Sequence, residues 1–296
     1  GWGAFRSCAG LTSIVIPDSV TIIGDEAFNG CTGLESIVIP DSVTSIGLRA
    51  FEACTGLKSI AIPNSVTEIG DSAFSGCSGL ESIVVEEGNP VYHSAGNCLI
   101  ETQSKTLLLG CKSSIIPDDG SVTSIGVDAF SNCTGLTSIV IPDSVTEIGW
   151  GAFRGCTGLK EIEIPTSVTS IGADAFRACT GLTNIVIPGS VTEIGGGAFV
   201  FCTGLTRVVI LDGVTSICNS MFAECTGLES IVIPDSVTII GGSAFDGCTA
   251  LKSVVFENPE GWVAEGNEVS SEDLSDPAVA ASLLAGEHAY YGRWER

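Results

Sequence analysis

Histidine is almost missing from this chain. His93 and His288 are the two among 296 residues, and they sit in separate irregular segments. Nothing in the sequence places either beside a serine, cysteine or carboxylate, as nucleophilic catalysis would require. Neither C-x-x-C nor H-x-x-x-H spacing occurs, so the common zinc frameworks are absent. "GWGAFRG" and "GGGAF" are bends between apolar runs and do not open a phosphate-binding helix. The expectation is therefore no catalytic residue, no cofactor and no metal. Basic residues are also scarce: 12 Lys and Arg stand against 35 acids, a formal charge of −23. Phosphate binding needs clustered cations, so nucleic acid and anionic membrane surfaces are excluded as partners. The acidity fits the solubility of an exposed array, or steering toward a basic partner. No run of 18 apolar residues exists, so no segment inserts into a membrane. There is no signal peptide, but the chain begins inside a repeat at Trp2-Gly3-Ala4-Phe5, so that absence says nothing about location. Aromatic residues reach only 6% of the chain against 44% hydrophobic, which leaves Ile and Val to form the core and favours many short strands.

What the chain has in abundance is repetition. Phenylalanines stand at 5, 28, 51 and 74, then at 130, 153, 176, 199, 222 and 245. Every interval is 23 except one of 56, and a fixed period in this range decides the fold before any other signal. The unit reads A-F-x-x-C-T-G-L-x-x-I-x-I-P-x-S-V-T-x-I-G, as in "FNGCTGLESIVIPDSVTSIGLRAF" at 28–51. Ile37-Val38-Ile39 alternates as a strand with the isoleucines on one face. Pro40 ends it, and Asp41-Ser42 makes a turn. Val43 to Ile46 forms a second short strand, and Ala50-Phe51-x-x-Cys54 fits one helical turn with Phe51 and Cys54 inward. One such unit cannot bury its own apolar face, so the units stack. The fold expected is a single right-handed solenoid of about eleven coils.

The L-x-x-I-x-I-P, V-x-x-I and A-F-x-x-C elements resemble the BspA-type, or Treponema-type, leucine-rich repeat of bacterial surface proteins. The resemblance covers residues 1–256. It implies a parallel β-sheet on the concave face of a curved solenoid, display outside the cell, and adhesion or protein binding; members of the family have been linked to host-matrix proteins and to cell–cell attachment. It names no ligand and no catalytic residue.

Two segments break the pattern. Residues 86–120 hold one aberrant coil, in which Asn97–Glu101 and Lys105–Leu109 form a β-hairpin around Thr102-Gln103-Ser104. Ile115-Ile116-Pro117 then restores the main strand and Val122 to Gly126 the second. Tyr92 and His93, at the start of this excursion, form a secondary candidate contact. Residues 257–296 form a C-terminal cap in which Ser275 or Asp276 starts a short helix over Ala278–Leu284, with Pro277 in its first turn. Trp262, Leu283, Leu284, Tyr290, Tyr291 and Trp294 seal the last coil, as an open solenoid end requires.

Ten of the 13 cysteines, from Cys8 to Cys248, share one repeat position flanked by core residues. Parallel side chains at that position have poor disulfide geometry, so a buried, reduced ladder is expected. Aspartates after the strand-ending proline, such as Asp18 and Asp41, stack on adjacent coils, and turn capping accounts for them. The outward position of the main strand is an apolar row of Val15, Val38, Ala61, Val84, Val140, Val186, Val209, Val232 and Val255, interrupted by Glu163. Solvated strands usually place polar residues there, and an apolar row of this length reaches the size at which a patch marks an interaction site. Lys160, Glu161 and Glu163, then Asn184 beside Val186, then Arg207 beside Val209, depart from the monotonous Ser and Val of other coils. On neighbouring strands they make one candidate surface of mixed charge beside an aliphatic stripe. The reading is a monomeric extracellular module, secreted or held at the cell surface, that binds a protein or glycan. The alternatives are a spacer without a ligand, or a solenoid enzyme acting on polysaccharide, which the shortage of acid/base residues disfavours.

Overall fold

The computed structural model describes residues 1–285 and 292–296. The chain divides into two compact units, Gly1–Ser144 and Val145–Arg296, and both are built from stacked coils of the 23-residue type. In the first unit, main strands Ser13–Val15 and Ser36–Val38 pair in parallel, as do Ser59–Ile62 and Ser82–Val85. The second strand of each coil, at Ile22–Ile23, Ser45–Ile46 and Glu68–Ile69, forms its own parallel ladder. In the second unit, Asn184–Ile187, Arg207–Ile210, Ser230–Ile233 and Ser253–Phe256 make a four-stranded parallel sheet. Register partners are 23 apart, so each inward side chain stacks on the apolar side chain at the same position of the next coil, as Ile14 on Ile37 and Ile185 on Val208.

The recurring residues are explained by bonds between coils. Phenylalanine rings stack face to face, with centroids 5.2 Å apart for Phe28 and Phe51 and 5.1 Å for Phe176 and Phe199. The cysteine thiol donates to the phenylalanine carbonyl of the preceding coil, at 3.1 Å from Cys179 to Phe153 and from Cys202 to Phe176. The serine after the proline donates across coils too, at 2.7 Å from Ser42 to the Val20 carbonyl and from Ser167 to Val145. A larger residue at the serine or cysteine position would break both a bond and the stacking distance. The glycine of the T-G-L step answers to close approach: a Cβ on Gly56 would lie 2.7 Å from the Thr32 carbonyl oxygen of the preceding coil. All 13 cysteines are free thiols; nine of the ten in the ladder are buried and Cys8, on the first coil, is exposed.

Several local expectations are corrected. The Ala-Phe-x-x-Cys segment is a run of tight turns, not a helical turn. The residues two before and two after each phenylalanine take positive φ, as at Arg49 (φ 52) and Ala53 (φ 58) around Phe51. This alternation turns every second N–H toward the neighbouring coil, so Phe51 N–H donates to the Ala73 carbonyl at 2.7 Å. A helix would direct those groups along itself and leave the coils unlinked. The excursion is a three-stranded antiparallel meander, Tyr92–Ala95, Cys98–Glu101 and Thr106–Leu109. Its side chains close the edge of the main sheet: the N–H of Ile83 donates to Asn97 Oδ1 at 2.7 Å and that of Val85 to Ser94 Oγ at 3.0 Å. Ile115-Ile116-Pro117 consequently forms no strand; Ile115 N–H bonds to the Gly96 carbonyl at 2.8 Å, and its side chain is exposed. On the turn side the meander is skipped altogether, with Gly76 N–H donating to the Ser131 carbonyl and Ser72 Oγ to Asp128 Oδ2.

The C-terminal segment packs within the second unit. Helix α1, Ser271–Ser275, is capped by Ser270, and helix α2, Pro277–Ala285, is capped by Asp276, whose Oδ1 accepts from Ala278 and Val279 N–H. The first of these helices was not expected from the sequence. Trp262, Leu284 and Trp294 are buried, and Phe256 meets Trp262 edge-on at 5.3 Å. Trp294–Glu295 pairs antiparallel with Ile239–Ile240 and closes that strand edge. Arg296 ties the terminus to Asp235 at 3.0 Å, and Asn258 with Arg296 holds that carboxyl below its ordinary range. His288, Tyr290 and Tyr291 lie outside the described residues.

The left-handed positions give one expected outcome. Ala53→Gly should raise, and Gly30→Ala (φ 72) lower, the stability of the first unit by about 0.5–1 kcal/mol each. The urea midpoint measures both, and a shift of the same sign for the two would contradict the turn geometry. The thiols give another. Burial pushes Cys31, Cys179, Cys202, Cys225 and Cys248 above the ordinary value of 9.0, Cys98 to about 11 and Cys133 to about 12. The fold keeps these protons where the unfolded chain releases them. Their contribution is thus full below the unfolded value and is lost as pH rises from there through the folded values. Each thiol titrating in that window should cost about 1.4 kcal/mol per pH unit. The urea midpoint should therefore fall steeply above about pH 9; one that stays level to about pH 10.5 would show that the ladder does not hold its protons.

Candidate functional site

The four-stranded sheet of the second unit positions the candidate residues. Its strands read N-I-V-I, R-V-V-I, S-I-V-I and S-V-V-F, so alternate residues leave the sheet on opposite faces. Ile185, Val208, Ile231 and Val254 go into the core. Val186, Val232 and Val255 remain 47%, 44% and 40% exposed, and Val209 is half-buried between them. The in-register pairs Val186–Val209 and Val232–Val255 make the row continuous within each pair, and both pairs lie on the same sheet.

This row floors a shallow groove over the last three strands. Arg207 stands at the end where the strands begin, and Asn184 is its register partner. At the other end Leu211, Asp212 and Glu257 form the rim. The groove is thus polarised, with a cation at one side, two carboxylates at the other and aliphatic surface between. Glu257 is held in place by accepting from the Asp235 N–H at 3.2 Å. Among the described residues no ion pair involves Arg207 or Lys160.

The structure brings together four of the seven residues of the main candidate surface: Asn184 with Arg207 and Val186 with Val209, as partners on adjacent strands. Lys160, Glu161 and Glu163 do not join them on a strand. Residues 160–164 carry no strand, and the link to the next coil is the Thr183 N–H to the Lys160 carbonyl at 3.3 Å. Glu161 and Glu163 are exposed there, beside the sheet and not within its ladder. The secondary candidate is corrected as well. Tyr92 is buried at 5% exposure and its hydroxyl accepts from the Ile69 N–H at 3.0 Å, so it locks the meander to the coil before it. His93 is half-buried, with Nδ1 2.8 Å from Thr102 Oγ1 on the neighbouring strand. Leu211 and Glu257 were missed from the sequence, where Asp212 counts only as one of the turn-capping aspartates. The signal for Leu211 was "ILDGV", where leucine replaces the strand-ending proline and glycine the turn serine.

The first unit offers a similar row with a different rim. Val15 and Val38 are register partners exposed at 88% and 78%, and Asp18, Asp41 and Glu86 line the groove beside them. Among the described residues no three His, Cys, Asp or Glu side chains group as a metal ion would need, and no helix is long and apolar enough to cross a membrane.

Comparison with known proteins places this architecture. No protein of curated function matches the chain. A leucine rich cell surface protein of Faecalibacterium prausnitzii A2-165 is 35% identical over 86% of this chain, with a TM-score of 0.68. The chain spans 62% of the length of that protein. A leucine-rich repeat protein from Bacteroides ovatus is 32% identical over 86% of this chain and 69% of its own, with a TM-score of 0.55. The pneumococcal vaccine antigen PcpA is 20% identical over 83% of this chain and 62% of its own, and its TM-score of 0.73 speaks for the fold alone. The model of the BspA type leucine rich repeat region matches residues 1–120, 104–229 and 215–260. From the 23-residue coils, their two parallel ladders and this match, the chain belongs to the BspA-type leucine-rich repeat family.

Proposed function

We propose that this chain is a binding module of a bacterial surface or secreted protein, that it works outside the cell as an adhesin-like element, and that it has no catalytic role. One observation carries the reading: a solvated parallel sheet turns two in-register pairs of valines outward, with Arg207, which makes no ion pair among the described residues, at one rim and Asp212 and Glu257 at the other. A surface that only needed to dissolve would place polar side chains on that face. Interfaces divide their labour in the way this groove does, with aliphatic area supplying desolvation and flanking charges fixing orientation and partner choice. The described cell-surface protein of F. prausnitzii, at 35% identity, supports the location. A protein ligand with an exposed apolar ridge, acidic near Arg207 and basic near the carboxylates, fits the groove. The spacer alternative gives no reason for a polarised rim on one sheet.

The test is a binding screen of the chain against extracellular matrix proteins, followed by two variants. Val232→Lys puts a charge in the middle of the floor, and Arg207→Ser removes the cation. Each should weaken binding by about tenfold or more, the order expected for a central interface residue, with the urea midpoint unchanged. Affinity that survives both variants would remove the groove as the binding surface.

A further inference from the structure

The turns that carry the phenylalanines form a ridge on each unit, and the two ridges differ in charge. In the first unit the turns hold Asp25, Glu26, Glu52, Asp71 and Asp128 against Arg6 and Arg49. In the second, the three turns 150–155, 173–178 and 196–201 hold Asp174 as their one acid in a chain that has 35, and the two turns that follow hold Glu224 and Asp246. The first two of these turns hold Arg154 and Arg177, each directly after its phenylalanine. Phe153 and Phe176 stack at 5.3 Å, and Gly155 N–H donates to the Arg177 carbonyl at 2.7 Å, so the two arginines rise from adjacent coils in register.

Each guanidinium lies on an aromatic ring. Arg154 is 6.0 Å above the Trp150 ring and Arg177 is 4.9 Å above that of Phe201. The arginines are half-buried, while Trp150 and Phe201 are 38% and 39% exposed. Phe201 occupies a left-handed position, φ 61, held in other coils by residues such as Gly30, Ala53 and Gly155. A bulky side chain is rare in that conformation, which every coil imposes at this position. Asp174 approaches Arg177 at 3.6 Å, and among the described residues no ion pair involves Arg154. Rings under the guanidiniums orient them in advance, which lowers the ordering cost of binding. The planar forks suit carboxylate or sulfate groups. Turn N–H groups here are used between coils, as in Phe153 to Ala175 and Ala178 to Val200, so the ridge has no free strand edge for a peptide main chain. A partner must therefore bring its anionic groups on a stiff backbone of its own.

We propose that the Trp150–Arg154–Arg177–Phe201 ridge binds an acidic polysaccharide, with oxyanions of successive sugars on the two guanidiniums and sugar C–H faces against the exposed parts of the rings. Local charge complementarity selects this ligand: these three turns carry two arginines against one acid on a chain of formal charge −23. The site is separate from the groove over the main sheet, and either stands without the other.

Isothermal titration of the whole chain tests the proposal with four probes: heparin oligosaccharides, oligogalacturonate, neutral dextran and polyglutamate. One or both of the acidic glycans should bind and dextran should not; whichever binds tells sulfate from carboxylate. Replacing Arg154 and Arg177 together by Ala should weaken binding by on the order of a hundredfold. Phe201→Gly should weaken it while leaving the urea midpoint level or higher, since it relieves the left-handed strain; this separates recognition from folding. Arg49→Ala, on the acid-balanced ridge of the first unit, should change nothing. Binding of neither acidic glycan, or full binding by the double arginine variant, would overturn the proposal. Polyglutamate binding as tightly as the glycans would also overturn it and assign the ridge to an acidic protein.

Discussion

A coil of 23 residues turns its leucine, isoleucines, valine, phenylalanine and cysteine toward one another, yet it is one strand thick and cannot shield them alone. Stacking at a fixed distance is the constraint on which the rest depends. A strand-to-strand spacing near 4.8 Å and an aromatic stacking distance near 5 Å are compatible, so both ladders and the phenylalanine column can share one rise per coil. Recurring polar residues then find partners one coil away. Serine answers a valine carbonyl, cysteine a phenylalanine carbonyl, and the turn N–H groups answer the carbonyls of the next turn. Backbone groups that pair between coils need no water, which is what allows so thin a structure to exclude it.

The same constraint explains how the array ends and how it tolerates interruption. At two places where a strand has no equivalent neighbour, something else supplies the bonds. Asn97 and Ser94 accept from the main strand at Ser82–Val85 in place of a next coil. Trp294–Glu295 pairs with Ile239–Ile240, reversing direction to do so. The aberrant coil lacks the phenylalanine turn, and the turns on either side of it bond directly, with Ser72 and Asp128 joined across 56 residues. Insertion is possible on the strand side because the turn side carries the continuity of the first unit.

Function on such a scaffold falls to positions that stacking does not need. On the main sheet these are the outward residues at the start, middle and end of each strand; on the turn ridge they are the residues beside the phenylalanine. Their side chains are free to vary without cost to the core, and they do vary in the second unit, where Arg207 and Leu211 change one surface and Trp150, Arg154, Arg177 and Phe201 another. A regular backbone makes such changes additive in space, because substitutions 23 apart become neighbours about 5 Å apart.

The sequence by itself determined the period, the inward set, the strand-ending proline, the thiol ladder and the capping helix after Asp276. Each of these follows from residue chemistry repeated often enough to be read: alternation marks strands, proline stops them, and a cysteine found ten times at one position is a packing residue. Tertiary structure decided the rest. The left-handed turn positions are filled by Gly, Glu, Arg, Ala and Phe without a common composition, because the bonds to the next coil impose the conformation and not the residue. The burial of Tyr92 and the extra strand at Tyr92–Ala95 depend on a vacancy in the neighbouring sheet that no local pattern records. The absence of a strand at 160–164 divides a candidate surface whose spacing alone placed all its members together. Alternation states which way side chains point within a coil; only the approach of two coils decides whether their backbones bond.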